Sequence, residues 1–469
     1  MDIFQKAPNG KKMMSLIAVF VASVILVTQS TSASTLLSIA AQEIGGLDIF
    51  SMTSTINGAC TVVFMSLFGY MAYRKPALQT PILSISLFMA AVAIFSRAVA
   101  PTMEIIVITG VLYSVISGAV FVCGYSLIRM MFDAAKAGLY LGFASTCSLV
   151  GSLAGTPAMG LIADFGGWRM AYHAMWVIIL IAAFFATFGV RIGKDDGKPL
   201  EKTAGKFDIF GTIGLTVFSV AIILFLSLGS SRVPFGTPMS WGFAGIALIG
   251  LIILIIDIRS KKERAIIPSV VLKDRTTVLI TLQAMCGFFS SMAIAFFMAT
   301  YIIYVLERSA TEAGLAVTMF SIAGVVLSPI LGRWLARSRN VRLLLVAGAT
   351  VRCVVMLSLI FLINPQINIL TIYVILFIYG FASCVDNIGS SAVPQLIIRP
   401  DIRIASNSLI ATCRTFSANL GTAVYGVMIA TLGVAGGIIP AFWISFGGGA
   451  LSLILAFIIR NPKAEDLEA

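Results

Sequence analysis

Long apolar stretches separated by short polar loops run along the whole chain. Fourteen of these stretches have about twenty residues or more, the length that an α-helix needs to cross the hydrocarbon core of a membrane. They cover residues 14–41, 50–73, 79–96, 104–127, 137–163, 168–190, 208–230, 241–258, 276–303, 314–335, 343–363, 369–396, 405–431 and 439–459, and are numbered segments 1 to 14 in that order. The pattern predicts an all-α membrane protein with fourteen transmembrane helices.

Composition supports this prediction and excludes most other classes. Hydrophobic residues make up 59% of the 469 residues and charged residues only 11%, with a mean hydropathy of +1.02. Soluble globular chains are about 25% charged, and too few charges are present here to cover a water-exposed surface. A soluble enzyme, a disordered chain, a coiled coil and a disulfide-stapled secreted domain are therefore all disfavoured.

The distribution of lysine and arginine predicts the orientation in the membrane. The net charge is +12. If the N-terminus is cytoplasmic, the loops and tails on that side carry 26 of the 32 basic residues and the opposite side carries 4, one of them Arg97. Because cytoplasmic loops are enriched in basic residues, both termini are expected inside a multi-pass protein of the cytoplasmic membrane. The basic excess then needs no nucleic acid as a partner; its secondary effect is contact with anionic lipid headgroups.

Two long hydrophilic stretches suggest how the helices are grouped. Residues 191–207 and 259–275 bracket segments 7 and 8. We therefore expect a six-helix bundle in residues 1–190, central loops with two inserted helices in 191–275, and a second six-helix bundle with a short tail in 276–469. The chain has no phosphate-binding GxxxxGK[ST] loop, and its seven cysteines and single histidine, His173, form no metal-ligand or redox pattern. No catalytic residues, metal or cofactor are expected.

Three short motifs follow one another along the chain. Residues 151–160 read GSLAGTPAMG, with Gly151, Gly155, Pro157 and Gly160 at marked positions, and Gly-Trp-Arg follows at 167–169. Segment 7 opens with FDIFG at 207–211, and segment 13 contains CRTFSANLGTA at 413–423. In this order the motifs resemble GxxxGPxxGG, DxxG and RQLGGSLGxA of the fourteen-helix drug:proton antiporter branch of the major facilitator superfamily. The resemblance covers almost the whole chain.

The resemblance implies a secondary transporter that works by alternating access, with two six-helix bundles rocking around a midplane site. It also implies export of amphipathic small organic molecules in exchange for protons. The family's loop motif GxLaDrxGRr keeps Gly69 and Arg74 here as gating candidates.

Other family positions differ. Tyr73 replaces the aspartate of the loop motif, Ser114 the arginine of segment 4, and Ala33 the acidic residue of segment 1. In the antiporter motif the proline is displaced by one residue, and Thr156 stands in its place. Proton coupling therefore does not follow from the family alone.

Three charged residues lie deep within segments 11, 12 and 13. Arg352, Asp386 and Arg414 are ten to thirteen residues from the nearest basic residue of the cytoplasmic side, hence about 15–20 Å inside. A charge in a membrane helix costs about 2.5–3.5 kcal/mol on insertion scales, so each is a functional candidate. Asp386 could exchange an arginine for a proton or a cationic substrate. It could also be a fixed counter-ion that leaves one arginine free for an anionic substrate, or part of a structural salt bridge.

Neutral polar residues supply the remaining candidates. They are Asn387 beside Asp386, Gln29, Ser30 and Ser34 on segment 1, Asn57 on segment 2, and Tyr113 and Tyr125 on segment 4. Polar side chains in membrane helices either bond to neighbouring helices or line a water-filled pathway. The clustering on segment 1 favours a cavity for some of them, and the tyrosines could form an aromatic wall or simply pack in the core. Gly151, Gly155 and Gly160 have the spacing of close helix packing, and Pro157 is expected to bend segment 5.

The sequence therefore predicts a secondary active transporter of small molecules, with a proton or another ion as coupling partner, that works as a monomer. Uptake or facilitated diffusion of a specific metabolite, including an anionic one, is the alternative that the missing motif residues favour. From a different class, a transport-inactive sensor or scaffold and a membrane-embedded enzyme are the rivals. The absence of a soluble output domain and of paired catalytic groups in the sequence disfavours both. Substrate, direction, coupling ion and measured oligomeric state lie beyond the sequence.

Overall fold

The computed structural model describes residues 7–47, 49–74, 78–132, 140, 143–144, 147–148, 150–190, 208–228, 235–261, 265, 267, 269–399 and 402–461. Every regular element in these ranges is a helix. The chain divides into two compact units, Met1–Phe207 and Asp208–Ala469, so the two inserted helices cluster with the second unit.

The helices of the first unit are α1 (Asn9–Ile44), α2 (Phe50–Arg74), α3 (Gln79–Ala98), α4 (Met103–Gly118), α5 (Tyr125–Met131) and α6 (Thr156–Phe188). Two π-helical segments, Ala119–Gly124 between α4 and α5 and Gly151–Gly155 before α6, belong to this unit as well. Helix α1 packs along α6, and α3 packs on both α4 and α6. The π-helical segments are wide turns of the kind that often occurs at functional positions of membrane and soluble helices.

The helices of the second unit are α7 (Ile209–Leu228), α8 (Pro238–Lys261), α9 (Ser269–Lys273), α10 (Arg275–Tyr304), α11 (Ala310–Ser338), α12 (Val341–Leu362), α13 (Ile369–Ser391), α14 (Val393–Ile397) and α15 (Arg403–Ile458). Side-chain caps begin several of them. The Asp274 carboxylate accepts from the Thr277 amide at 2.8 Å, and Ser309 and Glu312 form a reciprocal capping box at the start of α11. These bonds satisfy amide groups that have no partner inside a helix.

Helices α6 and α15 each contain one glycine that interrupts the helical geometry. Gly167 has φ 78° and ψ 166°, and Gly433 has φ 74° and ψ 170°, a region that only glycine enters without strain. In α15 the chain turns back on itself at Gly433. As a result, a Cβ atom on Gly437 would stand 2.5 Å from the carbonyl oxygen of Met428. Both α6 and α15 therefore consist of two helical arms.

Ten helices among the described residues are long and apolar enough to cross a membrane, and two shorter apolar stretches, Met52–Met65 and Met103–Gly118, accompany them. The exposed surface of these helices carries many large apolar side chains. A multi-pass membrane protein is the structural class that such surfaces define, because water would not solvate them.

The inserted helices α7 and α8 form a hairpin that is held by a charged cluster. The Lys261 ammonium lies 2.5 Å from the Asp208 carboxylate and 2.6 Å from that of Asp257, and both carboxylates are buried. Gly211 leaves the space that these two carboxylates occupy, and its amide donates to Asp208 at 2.9 Å. The DxxG motif of the sequence is thus the anchor of this hairpin.

Candidate functional site

A buried ion pair joins α12 to α13 in the second unit. The Arg352 guanidinium is fully buried, the Asp386 side chain is 4% exposed, and Nη2 of Arg352 donates to Oδ2 of Asp386. Desolvated charges are tolerated in an apolar interior when they are paired and their remaining bonds are satisfied. The sequence candidates Arg352 and Asp386 therefore come together.

Hydroxyl and amide groups from the flanking helices complete the cluster. Ser291 of α10 donates to Asp386 at 3.4 Å, and Arg352 donates to Ser452 of α15 at 3.4 Å. Gln283 of α10 donates to the same Ser452 hydroxyl at 3.2 Å. The ion pair of α12 and α13 thus contacts hydroxyl groups from α10 and α15, so four helices of the unit contribute to the cluster.

A small residue makes room for this cluster. A Cβ atom on Gly287 of α10 would stand 2.8 Å from Oδ1 of Asp386 and 3.2 Å from Nη1 of Arg352. The buried Tyr379 hydroxyl interacts with the Arg352 guanidinium without forming a hydrogen bond of ordinary geometry. Nε of Arg352 also lacks a hydrogen-bond partner among the described residues. The Nε–H of Arg352 and the Tyr379 hydroxyl are therefore donors that no acceptor in the described part of the cluster uses at ordinary hydrogen-bond geometry.

Arg414 lies apart from the ion pair. Its Nη1 donates to Ser390 at 2.9 Å, and its guanidinium stands 5.1 Å from the ring centroid of Phe288. Asp386 is therefore paired with Arg352 alone, and no carboxylate among the described residues pairs with Arg414. Asn387 is exposed, and its side-chain amide donates to the Ser383 carbonyl of its own helix.

The polar residues of α1 are divided between the two faces of that helix. Ser30 is exposed, whereas Gln29 and Ser34 are buried with side-chain oxygens that lack a hydrogen-bond partner in the described part of the chain. On α2, Oδ1 of the half-buried Asn57 is likewise unpartnered within the described ranges. Tyr125 is half-buried on α5.

Arg97, one of the four basic residues assigned to the outer side of the membrane, is a buried charge. It lies in the last turn of α3, which ends at Ala98, and is only 2% exposed. Its Nε donates to the Thr109 hydroxyl at 3.0 Å, and its guanidinium stands 5.3 Å from the ring centroid of the predicted site residue Tyr113. The spacing of Arg97, Thr109 and Tyr113 across a short α3–α4 connection could have indicated this contact.

The glycine motif of segment 5 packs against α1. Gly151 and Gly155 lie where any Cβ atom would collide with Val24 and Thr28 of α1, and Thr28 donates to the Gly151 carbonyl at 3.1 Å. Gly160 is buried in α6, and Pro157 is the second residue of α6, directly after the π-helical Gly151–Gly155.

The residue that replaces the motif proline has a contact of its own. The hydroxyl groups of Thr156 and Thr31 lie 2.5 Å apart. The close packing predicted from the glycines is thus present, and the departure at Thr156 adds a hydrogen bond to α1.

The remaining motif positions are less informative. The side chains of Gly69, Tyr73 and Arg74 lie outside the described residues. Ser114 is buried and donates to the carbonyl of Val111 in its own helix, and Ala33 is buried in α1. The Gly-Trp-Arg sequence contacts α1, because the Trp168 indole and the Arg169 guanidinium both donate to the Glu43 carboxylate.

The described helices define the class of polytopic α-helical membrane proteins. The Major Facilitator Superfamily profile matches residues 19–271 and 280–469. The chain belongs to the Major Facilitator Superfamily.

Two relatives that are similar in sequence differ in the substrates that their names give. The multidrug transporter protein MdtP of Bacillus subtilis is 23% identical over 337 residues, which are 71% of this chain and 60% of MdtP. The riboflavin transporter RibZ of Clostridioides difficile is 22% identical over 311 residues, which are 66% of this chain and 64% of RibZ. The chain thus spans somewhat less than two thirds of the length of each.

Solved transporters share the fold. A bacterial homologue of the human lysosomal transporter Spinster, in an inward-facing and unoccupied conformation, superposes with a TM-score of 0.68 at 12% identity. The superposition covers 97% of this chain and 98% of that one.

Proposed function

We propose that the protein is a secondary active transporter that exports amphipathic small organic molecules across the cytoplasmic membrane by alternating access in exchange for protons. The buried Arg352–Asp386 pair carries this proposal. A carboxylate that can exchange its arginine partner for a proton provides a switch for coupling transport to a gradient. The similarity to a multidrug transporter supports an amphipathic substrate.

Fourteen transmembrane helices with both termini in the cytoplasm form the topology of this proposal. Two observations support it. Gly167 and Gly433 divide α6 and α15 into two arms each, and these four arms together with the eight other long apolar helices and the two shorter apolar stretches give fourteen. The excess of basic residues in alternate loops gives the orientation.

In the proposed cycle Asp386 is ionised while it binds Arg352. Protonation of Asp386 removes the attraction between α12 and α13, and the freed Arg352 donors then turn to Ser452 and Tyr379. Since Ser291 and Ser452 belong to α10 and α15, the change is transmitted to both neighbouring helices. A proton at one carboxylate thus alters the packing of four helices.

The test measures accumulation of ethidium in cells that express the protein, with and without a protonophore. Wild-type cells are expected to accumulate less ethidium than empty-vector cells, and the protonophore should abolish the difference. Asp386→Asn should abolish it as well, at equal amounts of protein in the membrane. Glu307→Gln is the matched control, because it changes an exposed carboxylate to an amide and should leave efflux unchanged.

Protonophore-sensitive efflux of wild-type strength in Asp386→Asn would leave the ion pair a structural element and refute its coupling role. Ethidium accumulation equal to that of empty-vector cells would instead refute export of such cations.

The second candidate function is uptake or facilitated diffusion of a specific anionic metabolite. The observation that favours it is Arg414, a half-buried cation whose contacts in the described part of the chain are a serine hydroxyl and an aromatic face. Under this function Arg414→Gln abolishes flux of the metabolite, whereas Asp386→Asn preserves downhill flux. The two candidates therefore differ at Asp386→Asn, which abolishes protonophore-sensitive ethidium efflux under the first function and preserves downhill metabolite flux under the second.

A further inference from the structure

Each of the two units buries an arginine of one long helix beside a tyrosine of the next long helix along the chain. In the second unit these are Arg352 and Tyr379, and in the first unit they are Arg97 and Tyr113. Each tyrosine stands ten residues after the first residue of its helix, Met103 in α4 and Ile369 in α13. The arginine–tyrosine pair of the first unit therefore corresponds to that of the second unit. The two arginines differ in their positions along their own helices.

The units differ in the counter-ion. Asp386 comes seven residues after Tyr379 and neutralises Arg352. Seven residues after Tyr113 the first unit has Val120, which is buried and cannot carry a charge. Among the described residues Arg97 forms no ion pair with a carboxylate; its neighbours there are the Thr109 hydroxyl, which accepts from Nε, and the tyrosines Tyr113 and Tyr172. A guanidinium that is buried without an anion is costly in an apolar interior.

The surroundings of Arg97 contain more polar atoms than hydrogen bonds. Nη2 of Arg97 and the hydroxyl groups of Tyr113 and Tyr172 are buried without a hydrogen-bond partner among the described residues. The Tyr172 hydroxyl of α6 interacts with the Arg97 guanidinium and with Gln29 of α1, although not at ordinary hydrogen-bond geometry. One guanidinium edge and two phenol groups, all able to donate hydrogen bonds, are thus buried without an ordinary hydrogen bond, and the unpartnered Oε1 of Gln29 is the acceptor beside Tyr172.

The guanidinium edge of Arg97 and the two phenol groups are donors that a carboxylate can use. Carboxylates accept two parallel bonds from a guanidinium and further bonds from hydroxyl groups, and these charge-assisted bonds are stronger than neutral ones. All of these atoms are inaccessible to water in the present conformation. A ligand therefore reaches them when α3, α4 and α6 move apart, and the closed state is left with an uncompensated charge.

We propose that Arg97, Tyr113 and Tyr172 form a binding site for the carboxylate group of the transported molecule. This inference rests on the proposed function and adds amphipathic organic anions to the cations that the efflux measurement tests. The anion supplies in the first unit the negative charge that Asp386 supplies in the second. An inorganic anion such as chloride shares the chemistry, and the experiment separates the two sources.

Binding of radiolabelled 1-naphthoate to the purified full-length protein in detergent tests this site. The probe combines an apolar ring system with one carboxylate, and its neutral amide, 1-naphthamide, is the matched competitor. We expect saturable 1-naphthoate binding that Arg97→Gln weakens at least tenfold and Arg97→Lys weakens less. The amide should compete at least tenfold more weakly than unlabelled 1-naphthoate. Arg308→Gln, which removes an exposed arginine paired with Glu312, should bind like the wild type.

Equal 1-naphthoate binding by wild type and Arg97→Gln, or no binding by either, would overturn the proposal. Thermal stabilisation of the wild type by chloride without 1-naphthoate binding would also overturn it, because the site would then hold an inorganic ion only. If Arg97→Gln is not monodisperse, the double variant Tyr113→Phe/Tyr172→Phe keeps both rings and should bind several-fold more weakly; unchanged affinity contradicts the proposal. Binding to purified protein needs no gradient, so it fails independently of the efflux measurement.

Discussion

Gly287 of α10 faces Asp386 of α13 so closely that a Cβ atom on the glycine would stand 2.8 Å from the carboxylate oxygen Oδ1. The buried ion pair therefore depends on the absence of a side chain at residue 287. Gly287→Ala is expected to lower the free energy of unfolding by about 1–3 kcal/mol, the usual range for overpacking. Thermal unfolding in detergent measures the change. Gly447→Ala is the control, since nothing lies within 4 Å of its Cβ position.

Replacing one partner of the Arg352–Asp386 pair should lower the free energy of unfolding more than replacing both. Arg352→Met leaves a buried carboxylate alone, which typically costs about 3–5 kcal/mol. Replacing the two residues together, as in Arg352→Met/Asp386→Leu, exchanges charges for apolar contacts and should recover much of this loss. Chemical denaturation of the two single variants and the double variant gives the comparison. A double variant as unstable as the sum of the singles would contradict the expectation.

The hydrogen bond between Thr31 and Thr156 should appear as an energetic coupling between α1 and α6. Thr31→Val and Thr156→Val each remove one hydroxyl of a pair that is 2.5 Å apart. A double-mutant cycle should give a coupling of about 0.5–1.5 kcal/mol, the net value of a typical hydrogen bond. Additive single effects would show that the two hydroxyl groups act independently.

Lys261→Met should destabilise the hairpin of α7 and α8. It leaves the buried carboxylates of Asp208 and Asp257 facing each other without the ammonium that now lies between them. We expect a lower thermal midpoint and earlier proteolysis between the two helices. Arg259→Met on the exposed side of α8 removes a charge of the same sign and should leave the midpoint unchanged.

Substitution of Gly433 should destabilise the protein because of its backbone conformation alone. Nothing lies within 4 Å of its Cβ position, yet its φ of 74° and ψ of 170° are unfavourable for every other residue. Gly433→Ala is expected to cost about 1–3 kcal/mol. Gly436→Ala, three residues later in ordinary helix, should be neutral or should stabilise by up to about 1 kcal/mol, the helix-propensity difference between alanine and glycine. Thermal unfolding of both variants separates the two effects.

The family and the general architecture could be predicted from the sequence because apolar length is a strong physical constraint. A helix must be long enough to satisfy its backbone bonds across the membrane, so the segments stand out without an alignment. The pair Arg352 and Asp386 could also be anticipated, since both charges lie deep in apolar segments. Their partners Ser291, Ser452 and Gly287 could not, because contacts between distant helices depend on helix rotation and packing.

Arg97 shows a second limit of sequence analysis. A basic residue at the end of an apolar segment resembles the exposed arginines that flank membrane helices, and the sequence offers nothing that separates the two cases by composition. In the structure its guanidinium donates to Thr109 and lies 5.3 Å from the ring centroid of Tyr113. Arg414 shows the same limit, because equal depth along two helices did not bring it to Asp386 but to Ser390.

The single-residue corner at Gly433 also has a mechanical consequence. With no loop between them, the two arms of α15 have no slack, and one arm cannot slide without pulling the other. Arg414 lies on the first arm, and Ser452, which binds Arg352, lies on the second. A displacement of the arm that carries Arg414 is therefore transmitted through Gly433 to the other arm, and with it to the Ser452 hydroxyl beside the ion pair.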